Sequence, residues 1–270
     1  MGNAHLTNIQ FRMLKINYKL LTSTIIAIAS ASGILAFQKN YHANNLIADK
    51  NVDYQQKEQQ LKAEAKLQNN MPAFGFDNLV ADWAFLKYIQ YFGDTEARDE
   101  TGYSVITDYF KTIVNKDPRF IQASLNLSAS NSMFAGEPKK TVALLEETAE
   151  SLSPDMPGNS FMVIAYKAVD EILFLGDLKA AQKSYTKAAE WADQKETEAS
   201  KDVAKRYRDT VKFLATNPDP TITQVAGWSM ILRNNSDPKI KNYAITKIES
   251  LGGEVTFNAN GEPSVKPPEK

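Results

Sequence analysis

The sequence predicts an all-α protein, a right-handed solenoid of helical hairpins behind one N-terminal transmembrane helix. From residue 72 to residue 253, helix-period patterns are separated by Gly, Pro and Asp, and no alternating strand run of any length interrupts them. In that region a frame of one glycine, small residues and an aromatic recurs forty residues apart, at Gly136 and Gly176. Ahead of it, residues 20–37 read LLTSTIIAIASASGILAF without a charge. At about 1.5 Å per residue that run nearly crosses a hydrocarbon core.

In chain order, Arg12, Lys15 and Lys19 precede the apolar run and Lys39 follows it. The basic excess on the N-terminal side predicts that residues 1–17 stay in the cytoplasm, that 18–38 is a signal-anchor helix, and that the rest lies across the membrane. The rival is a cleaved signal peptide, since Ala27-Ile28-Ala29 and Ala29-Ser30-Ala31 both fit a small-x-small site. Against cleavage, the apolar run resumes as Ile34-Leu35-Ala36-Phe37. Residues 39–71 are polar, with Glu58, Lys62, Glu64 and Lys66 among Ala and Gln. This favours a helix with a thin apolar stripe, hence a solvated stalk or a short coiled-coil seam.

Asn70-Met71-Pro72 ends the stalk, and a repeat domain over 72–253 follows. Proline cannot continue a helix and displaces the residue before it from the α region. Pro118, Pro154, Pro218 and Pro238 therefore punctuate candidate helices at 77–92, 102–115, 119–134, 138–151, 160–175, 177–192, 196–215, 220–233 and 238–251. Gly252-Gly253 supplies a left-handed cap for the last. Residues 254–270, EVTFNANGEPSVKPPEK, read as a flexible tail.

The recurring frame explains its own residues. After Gly176 come Ala181, Tyr185 and Ala188, which share one helical face because steps of four and three nearly complete a turn. Alanines there let a helix sit close to its neighbour, and Tyr185 fills the space between units. Forty residues earlier Gly136, Leu145 and Ala149 align with Gly176, Tyr185 and Ala189. A looser copy runs from Trp83, Leu86 and Tyr91 through Gly93, an insertion TEARDETG, and Phe110 to Pro118. These residues resemble the tetratricopeptide repeat family, though the spacing exceeds the family's period and Asp193 stands where a proline is expected; a generic helical bundle is the alternative. The stretches FDNLVADWAFLKYIQYFGD, SLSPDMP, EILFLGD and IESLGGEV are also similar to membrane-anchored repeat proteins of cyanobacteria. That resemblance implies a thylakoid or cytoplasmic membrane, with the repeat domain in the lumen or periplasm, and no activity.

In a solenoid of this kind the first helices of successive hairpins line a concave groove. The Gly93 frame places Trp83, Lys87 and Tyr91 there, the Gly136 frame adds Asn126, Ser130 and Phe134, and the Gly176 frame adds Tyr166, Asp170 and Phe174. Aromatics beside an amide, a carboxylate and an ammonium suit a peptide or helix of a protein partner; the alternative for each aromatic is inter-repeat core. Adjacent acids such as Asp99-Glu100 and Glu146-Glu147 point apart on a helix and form no catalytic pair. Lys205-Arg206-Tyr207-Arg208 reads as a salt-bridged surface between Asp202 and Asp209.

Composition removes several functions. The chain of 270 residues has no Cys, so disulfides, Cys-ligated zinc and thiol nucleophiles are excluded. Its two histidines, His5 and His42, precede the predicted domain, which weighs against imidazole catalysis and His-ligated metals. A net charge of -1 argues against nucleic acid. The expectation is a non-catalytic, membrane-tethered scaffold without metal or cofactor that holds a protein partner. The alternatives are a constitutive subunit of a membrane complex and an enzyme of carboxylate or Lys chemistry.

Overall fold

A computed structural model describes residues 18–48 and 53–269, which divide into two compact units after Asp53. The predicted cytoplasmic segment 1–17, with His5, lies outside the described residues, as does the side chain of His42. The first unit contains helix α1 (Tyr18–Ala48), on which Ile25, Ile26, Ile28, Ile34 and Leu35 are exposed. Among the described residues no helix is long and apolar enough to cross a membrane. Side chains are described for 22–36, so both ends of the uncharged run 20–37 fall outside.

The second unit is predominantly helical. Its helices are α2 (Tyr54–Asn70), α3 (Asp77–Gly93), α4 (Thr95–Thr101), α5 (Ile106–Lys116), α6 (Ile121–Leu127), α7 (Pro138–Glu150), α8 (Phe161–Asp170), α9 (Leu178–Asp193), α10 (Glu198–Ala215), α11 (Thr221–Asn234) and α12 (Pro238–Ser250). Two of them change pitch before they end: α6 continues as a π-helical segment over Ser128–Phe134, and α8 over Glu171–Leu175. Chain punctuation acts as the sequence suggests. Pro138 and Pro238 open α7 and α12, where a missing N–H costs nothing, and Asp177 and Asp237 cap α9 and α12 by accepting from Ala180 and Lys239 N–H.

Close packing falls where the alanines are. Ala181 and Ala188 are 0% exposed, and Tyr185 joins them in a cluster with Ile164, Ala168 and Leu214. Its ring lies 5.4 Å from that of Tyr207 on α10, so Tyr185 is the plug between α9 and α10. A second cluster gathers Tyr88, Tyr91, Phe110, Ile113, Leu127 and Leu145 from α3 to α7. A third joins Phe174 to Val225, Trp228, Ile231, Leu232 and Ile248 of α11 and α12.

Three expectations are corrected. Residues 54–70 do not form a solvated stalk: Ala65 and Glu58 are buried, and the Thr112 hydroxyl donates to the Ala65 carbonyl at 3.3 Å. Glu58 read as a solvated charge because its partner lies forty residues away, in the insertion that folds as α4. Arg98 Nη1 donates to Glu58 Oε2 at 3.0 Å, and Tyr91 and Ser104 hydroxyls donate to Glu58 Oε1 at 2.7 and 2.9 Å. A buried ion pair tolerates its desolvation only when its remaining lone pairs are met in this way. Residues 254–269 are not a plain tail either. Strands β1 (Glu254–Phe257) and β2 (Pro263–Lys266) pair antiparallel, with Val255 opposite Val265 and both packed on the third cluster. Four-residue strands are too short for alternation to announce them. Finally, the helical domain begins at α2 rather than at residue 72, since α2 packs on α4 and α5.

Candidate functional site

The two hairpin turns build a site together. Gly136 (φ 67°) and Gly176 (φ 66°) end the π-helical segments in the left-handed region, where a side chain would be strained. The same backbone bond closes each turn: Glu137 N–H donates to Asn131 C=O at 3.0 Å, and Asp177 N–H to Glu171 C=O at 2.9 Å. Both turns then meet the last two helices. A Cβ on Gly136 would sit 2.6 Å from Ile240 Cγ2, and one on Gly176 2.7 Å from the Gln224 side chain. On α11, Gly227 lets the helix approach so closely that an added Cβ would be 2.7 Å from the Leu173 carbonyl oxygen.

Between the turns and α11–α12 lies a cleft of about 470 Å³. Its floor is aromatic. The rings of Phe174 and Trp228 meet edge to face at 5.9 Å, and those of Trp228 and Tyr243 at 5.4 Å. Lys247 Nζ stands 5.9 Å from the Trp228 centroid and 5.5 Å from that of Tyr243. The electron-rich face of an aromatic ring attracts an ammonium. Around this floor Lys139 and Gln224 offer donors, and Glu137 and Asp177 offer acceptors. A cleft with an apolar floor and both hydrogen-bonding senses at its rim suits a peptide, which presents one donor and one acceptor per residue.

The nine residues of the predicted groove do not line one surface. Phe174 reaches the cleft floor. Trp83 is 54% exposed on the outside of α3, with Lys87 Nζ 5.7 Å from its ring. Tyr91 is buried under α2, with the Arg98 guanidinium 3.5 Å over its ring. Asn126 and Ser130 bond within their own helix, to Gln122 and Asn126 carbonyls, and Ser130 is buried. Phe134 packs on Phe92 and Tyr103 at 5.0 and 5.1 Å, and Tyr166 faces solvent. Asp170 is 1% exposed and accepts from Ser128 and Ser132 hydroxyls, both at 2.7 Å. Burial raises its carboxyl to about 7, against the two serine donors, which lower it. The physical reason for the scatter is twofold. A π-helical turn adds a residue to the cycle, so Asn126, Tyr166 and Asp170, which precede such turns, are out of phase with a register counted back from Gly136 and Gly176. Meanwhile α2 covers the face on which Tyr91 lies.

Trp228, Tyr243, Gln224 and Lys247 belong to helices the sequence marks but to no recognised repeat frame. Trp228 alone carried a signal, an indole on a helix otherwise ending in Arg-Asn-Asn. Asp193, set where a proline was expected, forms an ion pair with Arg208 of the basic run. Among the described residues no group of three His, Cys, Asp or Glu is placed to hold a metal ion. Comparison of the chain with protein-family models, with curated proteins and with solved structures returns no match.

Proposed function

We propose that this chain is a non-catalytic helical scaffold that holds a protein partner close to a membrane. The cleft between the two hairpin turns and α11–α12 carries the reading. Its aromatic floor buries apolar side chains of a bound segment, and its mixed rim sets the register of that segment. The forty-residue frame at Gly136 and Gly176 supports a tetratricopeptide-like organisation of the hairpins. The uncharged run 20–37 supports a tether over 18–38, with the domain in a periplasm or thylakoid lumen, in assembly or maintenance of a membrane complex. Tethering raises the effective concentration of a membrane partner without new contacts.

The test is affinity purification of the full chain from gently solubilised membranes, beside Tyr243→Ala and Lys247→Glu variants. A defined protein retained by the parent and lost from both variants supports the reading. Retention that is stoichiometric and resists high salt assigns the chain instead as a constitutive subunit. An identical set of bound proteins on all three overturns the cleft as the binding site.

A further inference from the structure

A second surface has a different chemistry. The loop after α2 carries Met71, Phe74 and Phe76, and the outward stripe of α3 continues it with Leu79, Trp83 and Leu86, all more than half exposed. Phe74, at φ 50° before Gly75 at φ 89°, stands at the loop tip with 86% of its surface free. Beside them is a shallow recess of about 400 Å³ lined by Gln68, Met71, Pro72, Leu79, Val80 and Trp83. Six large apolar side chains in one continuous patch are a liability in water unless something covers them.

The polar groups of this patch identify the cover. Met71 N–H donates to Leu67 C=O, its carbonyl accepts from Lys116 Nζ at 2.9 Å, Pro72 has no N–H, and Phe76 N–H donates to Ala73 C=O at 2.8 Å. Within the recess the Gln68 amide is engaged with the Val80 carbonyl at 3.4 Å. A peptide strand laid along the α3 stripe would leave its own donors and acceptors without partners, because the helix spends its backbone groups internally. Acyl chains have none to satisfy, and the N–H groups of Ala73, Phe74 and Gly75 at the loop tip, which find no acceptor among the described residues, can meet headgroup oxygens at a membrane boundary. Trp83 with Lys87 over its ring is the pairing of an amphipathic indole and a snorkelling ammonium that membrane boundaries favour. Of the two carboxylates near the stripe, Asp82 is exposed on the flank opposite Lys87, one turn before Leu86, and Asp77 pairs with Lys116 at 3.7 Å.

We infer that the domain lies against the bilayer surface through loop 71–76 and the outward face of α3, a contact separate from the N-terminal tether. The inference rests on the tether reading only for keeping the domain near lipid.

Because the chain has no Cys, single nitroxide labels can be placed without background at Phe74→Cys, Leu86→Cys and, as a water-exposed reference on α10, Lys205→Cys. The full-length protein is reconstituted into phosphatidylcholine vesicles with a minor share of phosphatidylglycerol, and label depth is read from the balance of oxygen and water-soluble nickel collisions. Labels at 74 and 86 are expected about 5–10 Å below the headgroup boundary, while the label at 205 stays in water. Adding Phe74→Asp should return the label at 86 to water. Flotation with the vesicles while 74 and 86 remain as wet as 205 overturns the inference and leaves the tether intact. Failure to float at all overturns both. Dipolar broadening between labels at 86, in detergent and bilayer alike, overturns it in favour of an interface between two copies.

Discussion

At the turn of the first hairpin, α6–α7, Asn131 is fully buried: its carbonyl oxygen accepts from Thr107 at 2.7 Å and its amide donates to Thr141 at 3.0 Å. Forty residues later, at the equivalent place in α8–α9, Glu171 is buried instead; it accepts from Ser184 at 2.8 Å and pairs with Lys167 at 3.1 Å. The backbone is the same in both, down to the bond that closes each turn, but the polar lock is neutral in one and charged in the other. The longer carboxylate reaches about one turn farther along its second helix than the amide does, to 184 rather than to the position matching 141. The first lock is sealed, whereas the second opens to solvent because Lys167 also pairs with half-exposed Glu146. Asp170 joins the hairpins by accepting two serines of the first from the second. What repeats is therefore a turn and a packed face, with buried polar chemistry free to vary wherever every group finds a partner.

The equivalence is broken most sharply at the packed face. Tyr185→Ala is expected to cost about 3–5 kcal/mol, and Leu145→Ala at the matching position about 2–5 kcal/mol, in urea unfolding of the detergent-solubilised protein. A loss below about 1 kcal/mol at either site would mean that the two faces are not equivalent. The junction between hairpins should be visible as a pH dependence. An unfolded Asp ionises near its ordinary value, while the folded Asp170 carboxyl keeps its proton up to about 7. In that window the native state binds more protons, so stability falls as pH rises, by at most about 1.4 kcal/mol per pH unit. Asp170→Asn, able to accept from one serine and donate to the other, should remove that slope; an unchanged slope would place its origin elsewhere.

Smaller effects sharpen the contrast between the locks. Asn131→Leu strands the buried Thr107 hydroxyl and should cost about 2–3 kcal/mol, whereas Glu171→Leu should cost about 1 kcal/mol because Lys167 keeps Glu146 at the surface. Equal losses would contradict the distinction between sealed and open. At the turns, alanine at either glycine meets the strain of left-handed backbone, about 1–2 kcal/mol. Gly136→Ala should exceed Gly176→Ala, since Ile240 is anchored in the core whereas the Gln224 side chain can swing away.

Much of the helical order was legible because it rests on local rules. Proline, glycine and capping aspartate set the ends of α7, α9, α11 and α12 to within a residue or two, and the alanine face of α9 is where its spacing put it. The illegible parts depend on distant partners. Glu58 looks solvated until Arg98 arrives from an apparent insertion, and the hairpin β1–β2 is stabilised by Ile248 and its neighbours more than by its own four-residue strands. The groove register failed for a related reason. A π-helical segment lies between each frame glycine and Asn126, Tyr166 and Asp170, so a register counted back from Gly136 or Gly176 is out of phase there, and only Phe174, of the nine, reached the cleft. The other walls of the cleft come from α11 and α12, which carry no copy of the frame. The exposed stripe of Leu79, Trp83 and Leu86 was readable as a helical face, but its spacing alone does not tell core from surface.

The reading of the cleft as a protein-binding site is tested most directly by placing a benzophenone photo-crosslinker at Tyr243 in the full-length chain and irradiating intact membranes, with Phe213 on exposed α10 as the reference position. One discrete adduct from position 243, absent from position 213 and lost on adding Lys247→Glu, is the expected result. No adduct at 243, or the same adducts at both positions, would contradict it.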